Sequence, residues 1–202
     1  MNALFVHGIC SSNFFWLPTL IRFRAQGINP TVFGYNATFQ DFSTIVNKLV
    51  KAMVRVSERG DYVVVGHSLG GVLLRAAIDL LPIGTRLPKK AFLLGSPIGP
   101  SRIAKRLKKN IVFGAITRDC GHLLGSKKRM SSIPAPKVPT VAIIGTWGIQ
   151  GRFTPFGSEV NDGVVTFSEV NAGWFDEVIH VPLAHNLLTS SKSVSEIIIE
   201  RI

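Results

Sequence analysis

The chain has 202 residues, 46% of them hydrophobic and 17% charged, with a formal net charge of +11. This size and composition fit one globular domain over residues 1–202 and exclude a disordered or low-complexity protein. No apolar run reaches the roughly 18–20 residues that span a bilayer, and two cysteines, Cys10 and Cys120, supply neither a disulfide framework nor metal-ligand spacing.

The N-terminus, MNALFVHG, enters an apolar run at residues 3–6 without the basic segment and long apolar stretch of a secretory signal. A reducing, cytoplasmic location is therefore expected. Residues 14–26 are predicted as a helix stopped near Gly27, and residues 31–35 as a second strand. From Asp41, the residues Phe42, Ile45, Val46, Leu49, Met53 and Val56 recur at helical spacing until Gly60. Residues 62–65 read as a third strand, 69–81 as a helix ended by Pro82, and 91–94 as a fourth strand. Two more strands are predicted at 138–144 and 178–181, and a closing helix at 193–202. Strands alternating with helices argue for a parallel sheet covered on both faces. Residues 99–139 break the alternation and read as an insertion on the sheet.

The third strand runs into Gly66-His67-Ser68-Leu69-Gly70-Gly71. Glycines two positions either side of Ser68 suit a tight strand-to-helix turn, in which larger side chains would collide. Such a turn lifts the serine hydroxyl clear of the sheet at a helix N-terminus. There the backbone N–H of Leu69 can receive a developing oxyanion. A glycine-rich turn holding an ordinary serine is the competing reading.

A serine nucleophile needs a base, and the base an orienting acid. On this kind of turn both follow the serine in chain order, acid first. Of five histidines, His7 and His67 come too early, His122 lies in the insertion, and His180 lies within the last predicted strand. His185 follows that strand in Pro-Leu-Ala-His-Asn and is the candidate base. Asp162, in Val-Asn-Asp-Gly-Val-Val, is the candidate acid, ahead of Glu159 and Glu169. Asp176 and Glu177 precede the last strand and fall at the wrong end of the sheet. The second oxyanion donor is expected from Ile9, in the loop after the first strand, where Gly8 permits close approach. Trp147, Phe153 and Phe156 precede Asp162 and are candidates for lining an acyl pocket, although core packing would explain them equally.

These residues resemble the α/β-hydrolase fold, and among its members the small bacterial lipases and esterases. Val6-His7-Gly8-Ile9 is similar to the oxyanion loop, Gly66–Gly71 to the nucleophile elbow, and Leu94-Gly95-Ser96-Pro97 to a segment lining many lipase sites. Asn161-Asp162-Gly163-Val164-Val165 resembles the acid loop shared with lipases and lipid deacylases, and His185 follows at the spacing small lipases use. The resemblance implies a mostly parallel six-stranded sheet with helices on both faces, lacking the fold's first two strands. It also implies hydrolysis of lipid-like or short acyl esters through an acyl-enzyme, with no metal or organic cofactor. A thioesterase, amidase or acyltransferase would use the same machinery, and a non-catalytic cationic lipid- or nucleic-acid-binding module is the rival outside enzymes.

The charge is local. Residues 86–137 carry 13 Lys or Arg and a single acid, Asp119, while the rest of the chain is nearly neutral. In 101–116, SRIAKRLKKNIVFGAI, the residues Ile103, Leu107 and Ile111 lie four apart among Arg102, Lys105, Arg106, Lys108 and Lys109. This predicts one cationic amphipathic helix that covers the site, rests on an anionic membrane surface, or packs a single apolar stripe on the sheet. Nucleic acid is the less favoured partner, because no recognition motif or stacking series accompanies the lysines.

Overall fold

A computed structural model describes residues 1–107 and 110–202, the side chains at 111–113 excepted. Six strands form one sheet in the order β2-β1-β3-β4-β5-β6, and every pairing is parallel. They are β1 (Asn2–Val6), β2 (Asn29–Phe33), β3 (Tyr62–His67), β4 (Ala91–Leu94), β5 (Thr140–Gly145) and β6 (Glu177–Val181). The central strands β1, β3, β4 and β5 are buried on both faces, as their continuous apolar runs require. Register aligns Val6 with Gly66, His67 with Leu94, Leu94 with Ile143, and Gly145 with Val181. The loops after all of these strands therefore emerge along one edge.

One face is covered by α1 (Leu17–Ala25) and α7 (Lys192–Ile199), with Trp16 buried against Phe5 at 5.0 Å between ring centres. The helix expected over 14–26 divides into a 3-10 turn at Asn13–Trp16 and then α1. Pro18 explains the division. Its ring lacks an N–H and is tolerated only in a helix's first turn, so α1 restarts around it. Strand β2 begins two residues earlier than expected and takes in Pro30, which an edge strand accommodates.

The other face carries α2 (Phe42–Ser57) and α3 (Leu69–Asp79). Asp41 opens α2 by accepting the Thr44 N–H at 2.7 Å. Arg75 on α3 is buried, yet its guanidinium donates to the carbonyls of Ile133 at 2.6 Å and Pro134 at 3.2 Å. Burial pulls its pKa down to about 10, and the cation also sits 5.4 Å from the centre of a Trp174 ring.

The basic insertion is helical but not one helix. It forms α4 (Arg102–Leu107), α5 (Ile111–Leu124) and α6 (Lys127–Ser131). Asn110 lies outside both helices: its N–H donates to the Leu107 carbonyl, and its own carbonyl accepts the Gly114 N–H, which opens α5. Lys108 and Lys109 lie outside the described residues. Helix α5 is itself broken at Arg118, a non-glycine residue at φ 39°, ψ −126°. Ala104, Cys120, Leu123, Leu124, Met130 and Ile133 bury an apolar side of this insertion against the α2–α3 core. No described helix is long and apolar enough to cross a membrane.

The junction of β3 and α3 tolerates no added bulk. A Cβ on Gly66 would lie 2.6 Å from the Gly71 Cα. Gly66→Ala should therefore cost about 1–3 kcal/mol, the usual range for overpacking. A lowered urea unfolding midpoint with an unchanged m-value would register it.

Candidate functional site

Strand β3 ends at His67, and Ser68 follows with φ 53° and ψ −122°, a backbone region costly for any residue but glycine. Hydrogen bonds from both sides hold it there. The Ser68 N–H donates to Leu94 at 2.9 Å, and its carbonyl accepts the Ser96 hydroxyl at 2.8 Å. A Cβ on Gly70 would sit 2.6 Å from the His7 carbonyl, so glycine is needed where α3 crosses the β1 loop. Leu69 is the first residue of α3, where an N–H has no acceptor within the helix. Gly8 approaches from the β1 loop, and a Cβ there would be 3.0 Å from the Ser68 Cβ. The Tyr35 hydroxyl anchors this loop by donating to the His7 carbonyl at 2.9 Å, and the His7 ring stacks on Tyr35 at 4.2 Å. Burial pushes the His7 imidazole below its ordinary pKa.

Asp162 is reached through the loop after β5 and is almost wholly buried. Its Oδ1 accepts the N–H groups of Val164 and Val165, each at 2.9 Å. Its Oδ2 accepts the Nδ1–H of His185 at 2.6 Å, and its main-chain carbonyl accepts the His185 N–H at 2.9 Å. With Nδ1 donating, the neutral His185 ring keeps its lone pair on Nε2. Ser68 and His185 line one cleft, whose apolar wall comprises Ile9, Phe15 and Val164. Thus Ser68, His185, Asp162, Ile9 and Leu69 converge at the edge where β1, β3, β5 and β6 end.

The other acids are engaged elsewhere. Glu159 pairs with Arg102 at 2.7 Å and accepts the Ser168 N–H at 2.8 Å. Burial pushes its pKa up, but these partners outweigh it and hold the carboxyl at about 2. Glu169 closes a capping box with Thr166 and also accepts from the Arg102 main chain. Asp176 accepts the Thr140 N–H at the opposite edge, at the start of β5. His122 is exposed on α5, and His180 is exposed on β6 with its ring 5.3 Å from Phe167.

The acyl-pocket candidates are corrected. Trp147 and Phe153 are exposed, Phe156 is buried, and none of the three lines the cleft at Ser68. Their loop closes on itself through a bridge between Gly151 and Gly157, and the Arg152 guanidinium covers Phe153 at 5.1 Å. Phe15 occupies the wall instead. Its signal was its place directly after the β1 loop, among residues read only as helical.

His67 is the residue that chain order alone passed over. Its Nε2–H donates to the His185 carbonyl at 3.0 Å, and the two rings lie 4.5 Å apart. It therefore ties the end of the Ser68 strand to the His185 loop across a long stretch of sequence. Burial first, and then the neighbouring His185, push its pKa well below 6.5, so the ring is neutral near pH 7. Among the described residues, no three His, Cys, Asp or Glu side chains converge as a metal site.

A family model described as the alpha/beta hydrolase family matches residues 3–186. No curated protein matches the chain in sequence. Among solved structures, the mature lipase BlEst2 of Bacillus licheniformis superposes with a TM-score of 0.81 at 16% identity, over 99% of this chain and 91% of that one. The methylesterase protein MES16 of Arabidopsis gives 0.67 at 14% identity, over 100% and 98%. Tomato methylketone synthase I, complexed with 2-tridecanone, gives 0.66 at 14% identity, over 99% and 96%. At such identities the likeness is one of fold, and the different names show how many tasks that fold hosts.

The folded pKa of His67 lies below the unfolded 6.5, so the unfolded chain takes up a proton that the fold refuses. Its contribution to stability is complete above that value and is lost as pH falls below it. His67→Gln removes the titrating ring while keeping an N–H donor. Between about pH 7.5 and about pH 5.5 its urea midpoint should fall less than that of the wild type; equal falls would contradict this account.

Proposed function

The chain belongs to the alpha/beta hydrolase family, and on that premise we propose that it is a serine hydrolase cleaving carboxylic esters through an acyl-enzyme. One observation carries the reading. A serine held at φ 53° shares a cleft with a histidine whose Nδ1 is hydrogen-bonded to a buried carboxylate.

In the first half-reaction, Ser68 Oγ attacks the acyl carbonyl while His185 Nε2 takes its proton. Asp162 remains ionised, holds the ring in the required tautomer and stabilises the imidazolium. The N–H groups of Ile9 and Leu69 receive the oxyanion. When the tetrahedral intermediate collapses, the ester C–O bond breaks and His185 hands its proton to the departing alkoxide. In the second half-reaction, water loses a proton to His185 and attacks the acyl-serine. The carboxylic acid leaves, and Ser68 regains its hydrogen. Every proton moves between these two side chains, the substrate and water.

The wall of Ile9, Phe15 and Val164 favours an apolar acyl group, in keeping with lipid-like or short acyl esters. Thioesters, amides and acyl transfer would draw on the same first step, so the preferred leaving group and acceptor are matters for assay.

A fluorophosphonate should label Ser68 stoichiometrically, and Ser68→Ala should abolish both labelling and ester turnover. Folded protein that resists the reagent would overturn the reading in favour of a non-catalytic module. Nitrophenyl esters of graded chain length, with matched thioester and amide substrates, would size the acyl site and rank the leaving groups. Asp162→Asn should lower kcat by about 10⁴-fold, because the amide favours the wrong histidine tautomer. A loss below tenfold would remove Asp162 from the mechanism.

A further inference from the structure

The insertion concentrates positive charge that its own fold does not neutralise. Its one acid, Asp119, is taken up by Arg129 at 2.7 Å and by the Phe42 N–H at 2.9 Å. Arg102 is taken up by Glu159. Among the described residues, Lys105, Arg106, Arg118, Lys127 and Lys128 are exposed and meet no carboxylate. They lie on α4, α5 and α6, which pack in succession.

Apolar side chains share this neighbourhood. Ile116, two residues from Arg118, is 45% exposed, and Phe39 is 79% exposed. The two are tied together, because the Thr38 hydroxyl donates to the Ile116 carbonyl at 2.7 Å. Thr38 and Ile116 line a recess that shares Cys10 and Ser11 with the cleft at Ser68. Phe15 in the wall of that cleft is also exposed, as are Phe14 and Leu187, the chain neighbours of the lining residues Phe15 and Asn186. Large apolar groups left in water at a cleft mouth, beside unneutralised cations, call for a partner that is itself both apolar and anionic.

We propose that this face docks on an anionic lipid surface, with the apolar rim entering at headgroup depth and the insertion's cations meeting lipid phosphates. A nucleic acid would satisfy the charges and leave the rim in water; a lipid surface satisfies both. The docking itself does not depend on the esterase reading, which enters only in what the membrane would deliver to the cleft.

The test is co-sedimentation of the full chain with phosphatidylcholine vesicles and with the same vesicles carrying phosphatidylglycerol. Each basic side chain near such a surface adds about fivefold to partitioning, so anionic vesicles should be preferred by at least about tenfold. Two double variants, Lys105→Glu with Arg106→Glu and Lys127→Glu with Lys128→Glu, should each weaken that preference by at least about tenfold. Both should leave turnover of a soluble short-chain ester unchanged, and unchanged thermal midpoints would show that they fold. Phe39→Ser should lower binding at constant charge. Ser68→Ala should bind as the wild type does, which separates a failure of docking from a failure of catalysis. Equal partitioning into both vesicles, anionic preference surviving in both double variants, or binding of duplex RNA or DNA without binding of anionic vesicles would each overturn the proposal.

Discussion

A carboxylate sealed from water must obtain every hydrogen bond from the protein, and the candidate site is arranged around that demand. Asp162 meets it with two amides from its own turn on one oxygen and the His185 ring on the other. The main chain adds a bond from the His185 N–H to the Asp162 carbonyl, so the loops after β5 and β6 are latched by backbone as well as side chain. Gly95, at φ 51°, closes the space beneath them; a Cβ there would lie 3.0 Å from both Asp162 Oδ2 and His185 Nδ1. Three strand ends thus meet at one buried ion-dipole cluster, and moving any of them would strand a charge.

How much of this was legible in the sequence depended on the range of the interactions. The turn at Ser68 is local: a β-branched run, paired glycines and an amphipathic helix lie within a few residues, so geometry follows from neighbours. Strand β4 also appears where its apolar run was read, because a strand buried on both faces leaves little room for another pattern. The hydrogen bond from His67 to the His185 carbonyl spans two distant segments, and no periodicity announces it. The aromatic residues at 147, 153 and 156 misled for a related reason. Their loop is held by its own bridge, so nearness to Asp162 in sequence did not bring them to the cleft.

The insertion shows the opposite kind of limit. Of the apolar side chains at four-residue spacing, Ile103 and Leu107 are only half-buried, and it is Ala104 that packs into the core. Spacing alone, however, did not register that Asn110 lies outside both helices, with its carbonyl accepting the Gly114 N–H at the start of the second. What composition did carry was the charge, because a stretch with 13 cations and one acid cannot be neutralised from within. The structure adds which of those cations the fold uses in ion pairs, namely Arg86, Lys89, Arg102, Arg129 and Lys137.

An all-parallel sheet has a front and a back. Asn2 pairs with the first residue of β3, Arg201 pairs with Glu177 at the first residue of β6, and Lys90 donates to the Arg201 carbonyl just before β4. Both ends of the described chain therefore sit behind the sheet, a full strand length from the cleft. A molecule tethered by either end to a bead, a fusion partner or a chip would still turn the cleft outward.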